Sequence, residues 1–229
     1  LVSQVTQGPL SVSRIEDGVV AEFVPLNLPA SLSPDGIQPR DVQVFVTPMG
    51  VKLVIAARNA LLEVSFERFD SPEIRSLTTG EVRRRIVAMA PDGQIHVAYI
   101  DALNTLRYNA FGATEMLVSE QITSDAILAL AFGSNGGPRL FFGEANLDFG
   151  GGIGTALVSW TPNQSEPPLI LNRWSENDVI PNIVHAERFG DNFELFMHER
   201  FDDMLIRFEV TPDTLMTAVH RRLDQTPTL

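Results

Sequence analysis

The chain has 229 residues, 44% of them hydrophobic and 20% charged, with a net charge of −12 and no cysteine. A chain of this size buries a sizeable core, while its negative charge repels nucleic-acid backbones and anionic membrane surfaces. No apolar run approaches the roughly 20 residues that insert into a bilayer as a helix, and without cysteine neither a disulfide framework nor a thiolate metal site can form.

Taken in order, the chain reads as short strands separated by turn residues. Leu1 to Val5 is an isolated strand. Ser11 to Ile15 and Val19 to Val24 form a hairpin around Glu16-Asp17-Gly18, and the proline-containing stretch from Pro25 to Pro39 reads as loop, because proline cannot donate to a ladder. Val42 to Val46 and Lys52 to Ala56 form a second hairpin, followed by a strand at Leu61 to Phe66 and an outer strand at Ile74 to Leu77. The third unit is the clearest: Ile86 to Met89, a Pro91-Asp92-Gly93 turn, Ile95 to Tyr99, a break at Asp101 to Asn104, Leu106 to Asn109, then Leu117 to Ile122. The fourth runs through Ile127 to Phe132, a Ser134-Asn135-Gly136-Gly137 turn, Arg139 to Phe142, Ala156 to Trp160 and Leu169 to Trp174. The fifth runs through Asn182 to Ala186, a Gly190-Asp191-Asn192 turn, Phe193 to Met197, Met204 to Val210 and Thr217 to Arg221.

Turn glycines at positions 18, 50, 93, 137 and 190 are separated by 32, 43, 44 and 53 residues. A four-stranded unit recurring about every 45 residues is the period of a β-propeller blade. A sandwich also supplies many short strands, but it does not require a hairpin, a break, a third strand and an outer strand in the same order each time. The sequence therefore predicts an all-β fold, a single β-propeller domain over residues 1–229 with about five four-stranded antiparallel blades. The isolated N-terminal strand is expected to complete the sheet formed by the other end of the chain, removing exposed edges.

The hairpins, with Asp92-Gly93 ahead of Val97-Ala98-Tyr99 as the best example, resemble the blades of bacterial β-propellers, and the length is similar to that of five-bladed tachylectin-type lectins. No tachylectin signature, sialidase box, WD or kelch motif is present. The resemblance implies an architecture; function has to be argued from a site.

Aligning the units places the second-to-third-strand links on one face: Ala57-Arg58-Asn59, Asp101 to Asn104, Gly143 to Asp148 and His198 to Asp203. Three of the four are rich in acids and amides. Tyr99, Asp101, Asn104, His198, Glu199 and Phe201 are the expected ligand contacts, because carboxylates and amides bind sugar hydroxyls beside an aromatic ring. Glu144, Asn146, Asp148, Asp202 and Asp203 are the expected cation ligands, since Ca²⁺ takes six to eight oxygens. Asp and Asn also form turns for local reasons, which is the competing account of each residue.

A glycosidase would need two carboxyl groups about 5 to 9.5 Å apart, for which Asp101, Glu144, Glu199 and Asp202 are candidates, but no spacing singles out a pair. The run Phe149 to Gly154 lacks the Lys-Ser/Thr pair or following helix of a phosphate loop and reads as a lengthened link. The expectation is a non-catalytic binding or interaction module, extracellular or at the cell surface, with a carbohydrate, a divalent cation or a protein surface as its partner. A glycan-processing enzyme and a structural component of a cell-surface assembly are the alternatives.

Overall fold

The computed structural model describes residues 2–4, 10–17, 19–28, 42–47, 50–57, 60–78, 81–110, 113–122, 127–148, 150, 152–162, 168–175, 182–199, 204–211 and 215–222. Among the described residues the regular elements are nineteen strands.

Five antiparallel sheets follow one another along the chain, and within each the strands pair in sequence order. The first contains β1 (Val2–Gln4), β2 (Leu10–Glu16) and β3 (Val19–Pro25). The second contains β4 (Val42–Thr47), β5 (Gly50–Ala57), β6 (Ala60–Arg68) and β7 (Ser71–Ser76). The third contains β8 (Val82–Met89), β9 (Ile95–Asp101), β10 (Leu106–Ala110) and β11 (Met116–Ser119). The fourth contains β12 (Leu128–Phe132), β13 (Pro138–Asp148), β14 (Ile153–Trp160) and β15 (Leu169–Ser175). The fifth contains β16 (Asn182–Phe189), β17 (Asn192–Glu199), β18 (Met204–Val210) and β19 (Leu215–Arg222). Repeated up-and-down meanders of this kind are the blades of a β-propeller, and the chain is an all-β protein of five such sheets.

Two expectations are corrected. Among the described residues the N-terminal strand joins its own sheet and not the last: β1 pairs with β2, through Val2↔Val12, Ser3↔Ser11 and Gln4↔Leu10, and the fifth sheet has four strands from its own segment. The stretch Gly143 to Asp148 is not a link, because β13 continues to Asp148 and still pairs there with Ile153. A register shift between Glu144 and Leu147 absorbs the irregularity.

The burial of each strand explains its sequence. At β9 the residues Ile95 to Ile100 are all buried, and at β14 so are Gly154 to Ser159; a strand covered on both faces reads as a continuous apolar run. The fourth strand β7, with Glu73 and Arg75, alternates between exposed and half-buried positions. The Asp92-Gly93 turn closes as its residues suggest. Gly93 takes φ +84°, its N–H donates to the Ala90 carbonyl at 2.9 Å, and the Gln94 N–H donates to Asp92 Oδ1 at 2.9 Å. In the fourth hairpin it is Gly136, at φ +76°, that carries the left-handed conformation only glycine adopts freely.

The chain divides into two compact units, Leu1–Arg83 and Arg84–Leu229. In the first, Val12 and Leu26 pack with Leu53, Ile55, Leu62, Val64 and Phe66. In the second, adjacent residues of β13 serve two different cores. Leu140 and Phe142 pack with Ala98, Ile100, Leu106 and Tyr108 of the third sheet, while Phe141 packs with Phe193, Leu195 and Met197 of the fifth. The two-residue period of a strand makes this division automatic. The rings of Phe141 and Phe193 meet edge to face at 5.7 Å, with the Arg139 guanidinium 5.4 Å from the Phe193 centroid.

Candidate functional site

The sequence-predicted residues of the third blade fall into one hydrogen-bonded cluster. Tyr99 and Arg107 are directly opposite on β9 and β10. The Tyr99 hydroxyl donates to Glu115 Oε2, Arg107 Nη1 donates to Glu115 Oε1 at 3.0 Å, and Arg107 Nε donates to Asp101 Oδ2 at 3.1 Å. The other oxygen of Asp101 accepts the N–H groups of Leu103 at 2.9 Å and Thr105 at 3.0 Å.

Burial acts to raise the pKa of Asp101. The Thr105 amide, the Arg107 side chain and the Leu103 amide together outweigh it and hold the carboxyl below its ordinary range. The hydrogen bond to Asp101, with Glu115 adding to it against burial, in turn raises the Arg107 guanidinium. Burial, then the hydrogen bond to Glu115, pushes the Tyr99 phenol up. Both Asp101 oxygens are thus engaged in shaping the link, and Tyr99 is buried with its hydroxyl on Glu115. What the link presents outward is Ala102, Leu103 and Asn104, the last at φ +61°.

Of the predicted cation ligands, Asp202 and Asp203 lie outside the described residues. Glu144, Asn146 and Asp148 lie along β13. Glu144 Oε1 accepts the Ser119 hydroxyl at 2.8 Å, and Asp148 Oδ1 accepts the Gly150 N–H at 2.8 Å. Phe201 also lies outside the described residues, as do Arg58 and Asn59 of the second-blade link. Glu199 ends β17. Among the described residues no three His, Asp or Glu side chains are arranged to hold a metal ion.

The fifth sheet carries a site that the link alignment missed, apart from His198. On β17 the residues Phe193, Leu195 and Met197 face the core, so Asn192, Glu194, Phe196 and His198 face the other way. A register shift between Ile183 and His185 brings His185 opposite Phe196, Glu187 opposite Glu194 and Phe189 opposite Asn192. On the far side Arg207 is opposite Phe196 and Glu209 opposite Glu194. The face therefore holds a row of three glutamates across three strands, with rings on either side.

Like charges directly opposite on a sheet repel, and two of the three glutamates here have a hydrogen-bond donor. Arg207 Nη2 pairs with Glu194, which is only 5% exposed. Asn192 Nδ2 donates to Glu209 Oε1 at 2.7 Å, and His185 Nε2 lies 3.5 Å from Glu187 Oε2. The Arg207 guanidinium lies 5.6 Å from the Phe189 centroid, Phe189 remains 57% exposed, and Arg207 Nε is buried without a partner. Exposed ring, carboxylates, amide and guanidinium on one face suit a ligand having both apolar and hydroxyl-bearing surfaces. The alternation in Asn192-Phe193-Glu194-Leu195-Phe196-Met197-His198 was a readable signal for this face; the register of β16 against it was not.

No family profile matches the chain, and no curated protein matches it. Among solved structures it is similar to the N-terminal domain of Nup159, at 13% identity and a TM-score of 0.45, over 82% of this chain and 49% of that one. It is also similar to a bifunctional GH43-CE protein of Bacteroides eggerthii, at 13% identity and a TM-score of 0.41, over 95% of this chain and 34% of that one. The chain thus spans about half of the first protein and about a third of the second.

Proposed function

We propose that this protein is a non-catalytic binding module that takes a neutral carbohydrate on the outward face of its fifth sheet. The observation that carries the reading is Phe189, exposed at the edge of a row of hydrogen-bonding glutamates. A pyranose offers a C–H face to such a ring and hydroxyls to Glu187, Glu209 and Asn192. The pairing of Glu194 and Glu209 with donors favours a contact surface over a pair of carboxyl groups set to exchange protons with a substrate. The Asp101 to Asn104 link, whose carboxylate is spent on its own turn, is a scaffold element on this reading.

An array of neutral oligosaccharides, followed by titration of any hit against wild type, Phe189→Ala and Glu209→Gln, tests it. Binding that weakens at least tenfold in both variants, with the glycan recovered intact, is the expected result. Binding indifferent to both substitutions, or no binding across the array, would remove the reading, and cleavage of the bound glycan would make the protein an enzyme.

A further inference from the structure

His96 is the buried titratable group that the proposed ligand face does not use. It is 4% exposed on β9, in the middle of the third sheet. Its Nδ1 is hydrogen-bonded to the hydroxyl of Tyr108 on β10, which is 2% exposed. The imidazole meets the Phe132 ring of β12 edge to face at 5.0 Å, and Tyr108 meets the Trp160 ring of β14 at 5.5 Å. The pair therefore lies where the third sheet packs on the fourth, beside Leu130, Leu140, Phe142 and Val158.

We propose that His96 makes this junction acid-sensitive: as the neutral imidazole it completes the packing of the third sheet on the fourth, and on taking a proton it places a buried charge against Phe132 and loosens the junction. Burial raises the Tyr108 phenol, so the hydroxyl keeps its proton and can either donate to Nδ1 or accept from it. On protonation both ring nitrogens become donors, and the Tyr108 oxygen can then only accept from Nδ1.

The surroundings offer little compensation for the new charge. Phe132 from β12 carries none, Tyr108 from β10 is neutral, and Asp92, in the turn preceding β9, is the carboxylate acting on the imidazole. Burial lowers the affinity of His96 for the proton and Asp92 only partly offsets it. Since the folded value lies below 6.5, the unfolded chain takes up the proton first as pH falls. The contribution of neutral His96 is complete above about pH 6.5 and is lost below it, by up to about tenfold in the folding equilibrium constant per pH unit.

Urea unfolding of the whole chain at pH 7.5 and pH 5.5, followed by tryptophan fluorescence, is compared for wild type and His96→Phe, with proton NMR of the histidine C–H signals of wild type alongside. The expected result is a loss of the wild-type folding constant on acidification that exceeds that of His96→Phe, by up to about tenfold, and a His96 resonance that titrates below the ordinary histidine value of 6.5. Equal losses in the two proteins would overturn the proposal. If His96→Phe does not fold, the NMR titration decides alone: a His96 signal titrating at or above 6.5 overturns it.

Discussion

Tyr99 and Arg107 stand opposite each other on neighbouring strands, and both donate to the two oxygens of one carboxylate, Glu115. Arg107 also holds Asp101, whose other oxygen gathers the amides of Leu103 and Thr105. The turn of the third blade is thereby locked to the body of its sheet through a chain of four side chains.

Asp101→Ala removes three hydrogen bonds at once and is expected to cost about 1–3 kcal/mol in urea unfolding at pH 7. Because the folded-state carboxyl is held below 3.8, its contribution is full above about pH 4 and is lost as pH falls through the folded value. The gap between wild type and variant should therefore narrow toward pH 3. A gap of the same size at both pH values would show that the charge of Asp101 contributes nothing to the turn.

In the fifth sheet, Arg207→Ala leaves Glu194 buried beside Glu187 and Glu209 without its cation. The expected loss is about 2–3 kcal/mol, less than for a fully buried pair because Arg207 is itself one-third exposed. Adding Glu194→Gln should restore a good part of it. A double-mutant cycle with no coupling between the two positions would mean that the pair is held by its neighbours and not by mutual attraction.

Calcium addresses the third set of acids. With Glu144 bonded to Ser119 and Asp148 to the Gly150 amide, the melting temperature is expected to stay the same in EDTA and in millimolar Ca²⁺. A cation binding only the native state at a hundredfold excess over its dissociation constant would add about 2.7 kcal/mol. A rise of several degrees on adding Ca²⁺, lost in Asp148→Ala, would put a cation on β13.

Strand content was readable from one end of the chain to the other because a blade writes itself locally. Ile95 to Ile100, buried throughout, appears as an apolar stretch interrupted by His96, and Asp92-Gly93 marks a turn whose glycine takes φ +84°. The link Asp101 to Asn104 was also legible, but not its employment. Asp101 spends its oxygens on Leu103, Thr105 and Arg107, a partnership spanning six residues and set by how β9 and β10 pair.

The sequence by itself determined the all-β class and the number of repeats, since these depend on side-chain period and turn chemistry within about ten residues. Only the tertiary structure decided that β1 pairs with β2, that β13 runs on to Asp148, and that Glu187, Glu194 and Glu209 form one row. Each of these depends on register. A shift of one residue, as at His185, moves a side chain from one face of a sheet to the other, and nothing in the local sequence around Val184 announces it.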